Sequence, residues 1–253
     1  MGAQPLYERD MISLGIVGVT GRMGASLLAS LQERTSLCLD AVLVRSPVAS
    51  LPSLPARTRQ ETDPDAFMKD LDVVIDFSTP DLSLTLLEAA RAHKTPLLVC
   101  TTGHTNAFDA RAMGAAKTIP LMIAPNTSLG VAVLDILLAR AAPLLETFDI
   151  ALHEVHHAHK IDAPSGTAKS LLKTLQSALP PHKEIQVTCQ RLGGVLGEHT
   201  VSFASEDEAL TLSHTCINRA LFAKGALHAA QWLAVQPPGR YTMHDMLLAS
   251  HHF

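Results

Sequence analysis

Five short runs, each close to continuously apolar, recur through the first half of this 253-residue chain with helical patterns between them. They read SLGIVGV (Ser13 to Val19), LCLDAVLV, DVVIDFS, PLLVCTT and IPLMIA. The intervening RMGASLLASLQE, SLTLLEAARAHK and NAFDARAMGAAK have helical spacing. A strand that is apolar at nearly every position has both faces covered, and alternation with helices marks parallel crossovers. The expected fold is α/β, beginning with a Rossmann-like, doubly wound parallel sheet.

After Asn126 the pattern changes. A helical stretch, VAVLDILLARAAPLL, leads into FDIALHEV, where Phe148, Ile150 and Leu152 alternate with Asp149, Ala151 and His153. A further helix after Thr167 is followed by IQVTCQR, HTVSFA and ALTLSHT, all with the period-two alternation of half-buried strands. Ser205-Glu206-Asp207-Glu208 reads as a hairpin turn between the last two. These elements predict a second, α+β domain on a mixed or antiparallel sheet. The tail, NRALFAKGALHAAQWLAV and YTMHDMLL, reads as helical and is expected to return to the first domain. The predicted division is 1–127 with 218–253, and 128–217.

A formal charge of −4 without a Lys/Arg block argues against nucleic acid and against a membrane surface as partners. MGAQPLYERD has no basic start leading into an apolar stretch, so no secretory signal is expected. GVAVLDILLARAAPLL is interrupted by Asp135 and Arg140 and is too short to span a bilayer. Cys38, Cys100, Cys189 and Cys216 are widely spaced with no CxxC and are read as four buried thiols in a reducing compartment. The expectation is a cytoplasmic protein. Ser46 to Arg59, rich in Pro and Ser, reads as an exposed loop.

Gly18, Gly21 and Gly24 in GVTGRMG follow the first strand and open a helix. Glycine there permits a tight turn and close approach of the backbone to a pyrophosphate at the helix start. The spacing is G-x-x-G-x-x-G, so context carries the dinucleotide-binding reading. An acid at the end of the second strand would hold the ribose 2′-OH of NAD, whereas an arginine suits the 2′-phosphate of NADP. Here Val44 and Arg45 occupy that end, which, with Arg22, favours NADPH or tolerance of both cofactors. Thr101-Thr102-Gly103 and Ala124-Pro125-Asn126-Thr127 follow two later strands, where such sheets bind ligand.

The run HEVHHAHKIDAPSGT, His153 to Thr167, holds four histidines, a lysine and a Ser-Gly-Thr turn that opens a helical pattern. It includes a literal H-E-x-x-H, the zinc signature, but that signature works on a helix. On a strand, four residues span about 13 Å, too far for both imidazoles to reach one ion. No metal is expected. The favoured reading has a strand delivering His156, His157 and Lys160 to its carboxyl end, with histidine as general acid. Ser165 would cap the next helix while N–H groups of Gly166 and Thr167 face an anion. Asp162 and Pro164 would shape the turn, and His153, His159, His182, His199 and His214 are expected to be structural or solvated. On these residues alone, an amino-acid dehydrogenase of another type and a nucleotide-sensing protein remain alternatives.

VGVTGRMG combined with EVHHAHKIDAPSGTA closely resembles the 4-hydroxy-tetrahydrodipicolinate reductase family. VIDFSTP, LVCTTGH, IAPNTSLGV, GEHTVSFA and NRALFAKGALHAAQWL extend the likeness in order. The resemblance implies reduction of a cyclic dicarboxylate by NADPH or NADH on the diaminopimelate route to lysine, with hydride transfer to a cyclic imine and protonation of the neighbouring carbon. His156 would be the proton donor and Lys160 its charged partner. His157, Lys160, Ser165, Gly166 and Thr167 would hold the substrate. Gly18, Gly21, Arg22, Met23, Gly24, Arg45, Thr101, Thr102, Gly103, Ala124, Pro125, Asn126 and Thr127 would hold the cofactor. The resemblance also implies a homotetramer built through the second domain, which would bind substrate and oligomerise. The chain departs from the family at Val44, where many members carry an acid, and in IQVTCQRLGGVLGEH, which lacks the usual Gly/Arg-rich insert.

Overall fold

The computed structural model describes residues 11–47 and 54–249. The reading of MGAQPLYERD, and residues 48–53 of the expected Ser46–Arg59 loop, lie outside the described residues. The chain divides into two compact units, one of residues 1–127 and 222–253, the other Ser128–Leu221.

The first unit is built on a sheet of seven strands: β1 (Ile12–Val17), β2 (Leu37–Leu43), β3 (Arg59–Glu61), β4 (Val73–Asp76), β5 (Leu97–Val99), β6 (Pro120–Ile123) and β11 (Gly239–Tyr241). Their order is β11-β6-β5-β4-β1-β2-β3, and every pairing is parallel. All seven strands therefore end on one edge. The order reverses at β1, whose neighbours are β2 and β4, and this is the switch point at which doubly wound sheets bind dinucleotides. The apolar runs are the strands because both faces are covered. Leu14, Ile16, Val73, Val74, Ile75, Leu97, Leu98 and Val99 are wholly buried. Helices α1 (Arg22–Leu31), α2 (Pro64–Met68), α3 (Pro80–His93) and α4 (Asn106–Ala115) connect the strands. One core cluster joins Phe67, Leu86, Leu87, Phe108 and Leu121.

The second unit holds a four-stranded mixed sheet of β7 (Asp149–His156), β8 (Ile185–Arg191), β9 (Glu198–Ala204) and β10 (Ala209–Thr215), in the order β10-β9-β7-β8. β7 runs parallel to β8 and antiparallel to β9, while β9 and β10 form the expected hairpin. Helices α5 (Leu129–Ala141) and α6 (Gly166–Ala178) cover one face. Leu134, Leu138, Leu171 and Leu175 pack there on Ile150, Leu152, Val201 and Phe203. The alternation on β7 follows from this: Ile150, Leu152, Glu154 and His156 are buried, whereas Asp149 and Ala151 are exposed.

Four expectations need correction. Arg59 opens strand β3 rather than ending a loop. Tyr241 belongs to strand β11, so YTMHDMLL is part strand and part helix, the helix being α8 (Met243–Ala249). The helix α7 (Ala220–Leu233) starts two residues after Asn218, whose side chain accepts from the Ala220 N–H at 2.8 Å. Cys189 is exposed, because it lies on the uncovered edge strand β8; Cys38, Cys100 and Cys216 are buried, and all four thiols are free. Among the described residues no helix is long and apolar enough to cross a membrane.

Candidate active site

In the first unit the glycine turn joins β1 to α1. Gly18 has φ +83°, and a side chain there would run into the Phe77 carbonyl, so the turn is available only to glycine. Gly21 is the N-cap of α1 and supplies no side-chain cap, which leaves the helix start to serve a ligand. Gly21 and Arg22 are exposed, Met23 is half-buried, and Gly24 is buried in the first turn. Past β5, Thr101 is buried; its Oγ1 accepts the Ser78 N–H at 3.0 Å, and Thr102 and Gly103 are exposed beyond it. Past β6, the Ala124 N–H donates to Val99 at 2.8 Å, Pro125 is exposed and Asn126 half-buried. The Thr127 hydroxyl donates to the Phe222 carbonyl at 2.7 Å, fastening the segment to α7. Arg45 is exposed past β2, whereas Val44 is buried.

Asp76, at the end of β4, organises this edge. Wholly buried, it accepts the Ser78 N–H at 2.9 Å and the Ser83 hydroxyl. Burial holds its pKa above the usual carboxylate value even though the bonds from Ser78 and Ser83 pull the other way. The turn glycine, the bare helix start and the exposed loops past β5 and β6 fit a bound nicotinamide dinucleotide.

In the second unit the pattern at the end of β7 is set by register. His156 stands opposite Arg191 of β8, and Glu154 opposite His199 of β9. Glu154 is 0% exposed and His156 8%. Glu154 Oε1 accepts from the Ser165 N–H at 3.0 Å and from Arg191 Nη2 at 3.1 Å. Its Oε2 lies 3.4 Å from His156 Nδ1 and 3.7 Å from His199 Nε2. Burial alone would raise Glu154, but the hydrogen bonds from Ser165 and Arg191 outweigh it and hold the carboxyl below its usual range. His199 is pushed down to about 4 by burial and by His156 beside it, so it is neutral. His156 is also lowered, by burial first, with Lys160 and Arg191 adding to the shift and Glu154 opposing it.

Ser165 caps α6 as expected, its Oγ accepting the Ala168 N–H at 3.1 Å and lying 3.2 Å from His199 Nε2. Gly166 and Thr167 form the first turn at the positive end of the helix dipole. Lys160 Nζ pairs with Asp162 at 2.8 Å, and both groups are part-exposed, so this is a weak surface pair. His157, half-buried just past β7, is lowered by desolvation and by the charges of Arg219, His159, Lys160 and Arg191. Lys160, Arg191 and Arg219 thus place positive charge around His157.

The H-E-x-x-H reading fails on geometry. The stretch is strand, and His153 turns to the other face, where Nδ1 meets Thr188 Oγ1 at 2.7 Å. The ligand-type atoms of Glu154, His156 and His199 do gather within 4.8 Å of one another. The same carboxylate is already held by the Arg191 guanidinium, so the chain supplies its own cation and we read an ion-pair network. Glu154 and Arg191 were not anticipated from the sequence, and His199, expected to be structural or solvated, is a buried member of this network. One signal was present: Glu154 shares a strand face with His156, two residues away.

A Rossmann-type nucleotide unit joined in one chain to a unit carrying a buried imidazole and a serine-capped helix start is the arrangement of a nucleotide-dependent oxidoreductase. Family models described as dihydrodipicolinate reductase, N-terminus, and dihydrodipicolinate reductase, C-terminus, match residues 12–127 and 130–247. The chain belongs to this family. It is 36% identical over 255 residues to a 4-hydroxy-tetrahydrodipicolinate reductase of Helicobacter hepaticus, covering 94% of this chain and 99% of that one. The namesake in Wolinella succinogenes is 38% identical over 260 residues with the same coverage. In fold the chain is similar to a dipicolinate-bound dihydrodipicolinate reductase from Paenisporosarcina sp. TG-14, with TM-score 0.80, 23% identity, and 92% and 97% of the two chains covered.

Proposed function

We propose that the chain reduces 4-hydroxy-tetrahydrodipicolinate to tetrahydrodipicolinate with NADPH or NADH, in the diaminopimelate route to lysine. The observation that carries this reading is the buried His156 beside Lys160 and the capped start of α6. The β1–α1 turn with Arg22, Met23 and Arg45 and the loops past β5 and β6 would hold the nucleotide, which would supply a hydride. Lys160 exchanges Asp162 for one substrate carboxylate, and His157 and the first-turn N–H groups of Gly166 and Thr167 hold the dicarboxylate. Ser165 keeps that turn in place. His156, once protonated, gives its proton to the carbon next to the one that takes the hydride, and water leaves along the route.

His156 starts below its ordinary pKa. The arriving dicarboxylate brings negative charge to the imidazole and raises its proton affinity, so the donor charges when it is needed. Arg45, exposed where Val44 offers no acid, favours NADPH. The family's tetramer would use the face of the second sheet opposite α5 and α6, which carries Thr188, Thr200, Ser202, Thr211 and Ser213. A cytoplasmic setting accords with the four unpaired thiols. The test supplies substrate generated in place by the preceding synthase and follows nicotinamide absorbance with each cofactor. Substrate-dependent oxidation, faster with NADPH, is expected; no oxidation by protein that binds both cofactors would overturn the reading.

A further inference from the structure

We infer that Glu154 is a positioning residue of this reaction: its carboxylate fixes the orientation and tautomer of His156 and ties it to the anion cap at Ser165. The inference rests on His156 being the proton donor, and it gives Glu154 a task of its own in that reaction.

A carboxylate wholly removed from solvent needs strong partners. Glu154 divides its two oxygens between two tasks. Oε1 takes the Ser165 N–H and the Arg191 guanidinium. Among the described residues Oε2 has no hydrogen-bond partner and lies 3.4 Å from His156 Nδ1, which also has none and is shut from solvent. A carboxylate beside Nδ1 favours a proton there, so the neutral ring is the Nδ1–H tautomer and Nε2 is the edge that gains and gives the working proton. The same carboxylate stabilises the imidazolium. The groups facing His156 are Glu154 on its own strand, Lys160 and Asp162 on the loop, Arg191 on β8 and His199 on β9. Lys160 and Arg191 oppose protonation and His199 is neutral, so Glu154 is the main charge favouring it.

Arg191 extends the device. Besides Glu154 it donates to the Lys160 carbonyl at 3.3 Å and to the Asp162 carbonyl, so one guanidinium binds the carboxylate beneath His156 to the loop that carries Lys160. Through Ser165 the carboxylate also holds the residue that caps α6. Proton donor, lysine loop and helix start thus share one buried anchor.

Nitrogen-15 NMR of histidine in the full-length protein tests this. Wild type should show neutral His156 as the Nδ1–H tautomer. In Glu154→Gln, which keeps the acceptor and loses the charge, the His156 pKa should fall by about 1 pH unit or more. The alkaline limb of kcat/KM should move the same way, lowering the rate about tenfold per unit. Dinucleotide affinity should not change, and Glu154→Asp should recover part of the shift. An Nε2–H tautomer in wild type, or an unchanged His156 pKa in Glu154→Gln, overturns the proposal. The wild-type tautomer decides even if the variant does not fold. The expected NMR result in a protein that reduces no substrate would refute the functional reading alone.

Discussion

Ser165→Ala isolates two contributions at one buried hydroxyl. Ser165 is 2% exposed, accepts the Ala168 N–H at 3.1 Å, and lies 3.2 Å from His199 Nε2. Alanine removes the helix cap, which costs about 1 kcal/mol. It also leaves a buried imidazole nitrogen without its partner, which costs about 1–3 kcal/mol. The variant should therefore be destabilised by roughly 3 kcal/mol, read from urea unfolding followed by circular dichroism. In a His199→Leu background the second contribution vanishes, and the same substitution should cost about 1 kcal/mol. A loss below about 0.5 kcal/mol in the wild-type background, or equal losses in both, would refute the shared role of the hydroxyl.

Three further outcomes are expected. Lys160→Ala should raise KM for substrate and lower kcat together if the ammonium, paired among the described residues with Asp162, takes a substrate carboxylate, while dinucleotide affinity measured by fluorescence stays constant. His199 has its folded pKa depressed to about 4. The unfolded chain then binds the extra proton, so stability contributed by neutral His199 is complete above about pH 6.5 and is lost as pH falls towards 4, by up to about 3 kcal/mol. Unfolding series across that range should show the slope in wild type and a flatter one in His199→Asn. Arg45→Ala should raise KM for NADPH several-fold and leave KM for NADH nearly unchanged in steady-state assays.

Most strands that could be read from the chain have buried faces, while β8 and β10 were legible by alternation alone. β1, β2, β4, β5 and β6 are apolar because both sides of the sheet are covered, and β7 alternates because one side is. β3 and β11 are three-residue edge strands, ArgGlnGlu and GlyArgTyr, with no apolar run, and they exist because a neighbour offers free backbone groups. The site divides in the same way. His156, Lys160 and Ser165 lie within ten positions, and local spacing was enough to group them. Arg191 and His199 arrive by strand register, opposite His156 and Glu154, and no spacing along the sequence encodes that pairing. Glu154 was hidden inside a string that resembles a zinc motif, and its burial emerges only once β7 packs beneath α6.

The most direct measurement of the central claim follows deuterium from a nucleotide labelled at its transferable position into the product, by mass spectrometry, for wild type and His156→Ala. The account predicts one deuterium per product molecule in wild type, formed only when the cyclic substrate is present. It predicts the same label in His156→Ala at a rate at least about a hundredfold lower, with dinucleotide affinity unchanged. Product without label would contradict hydride transfer, and a full rate in His156→Ala would remove His156 as the proton donor.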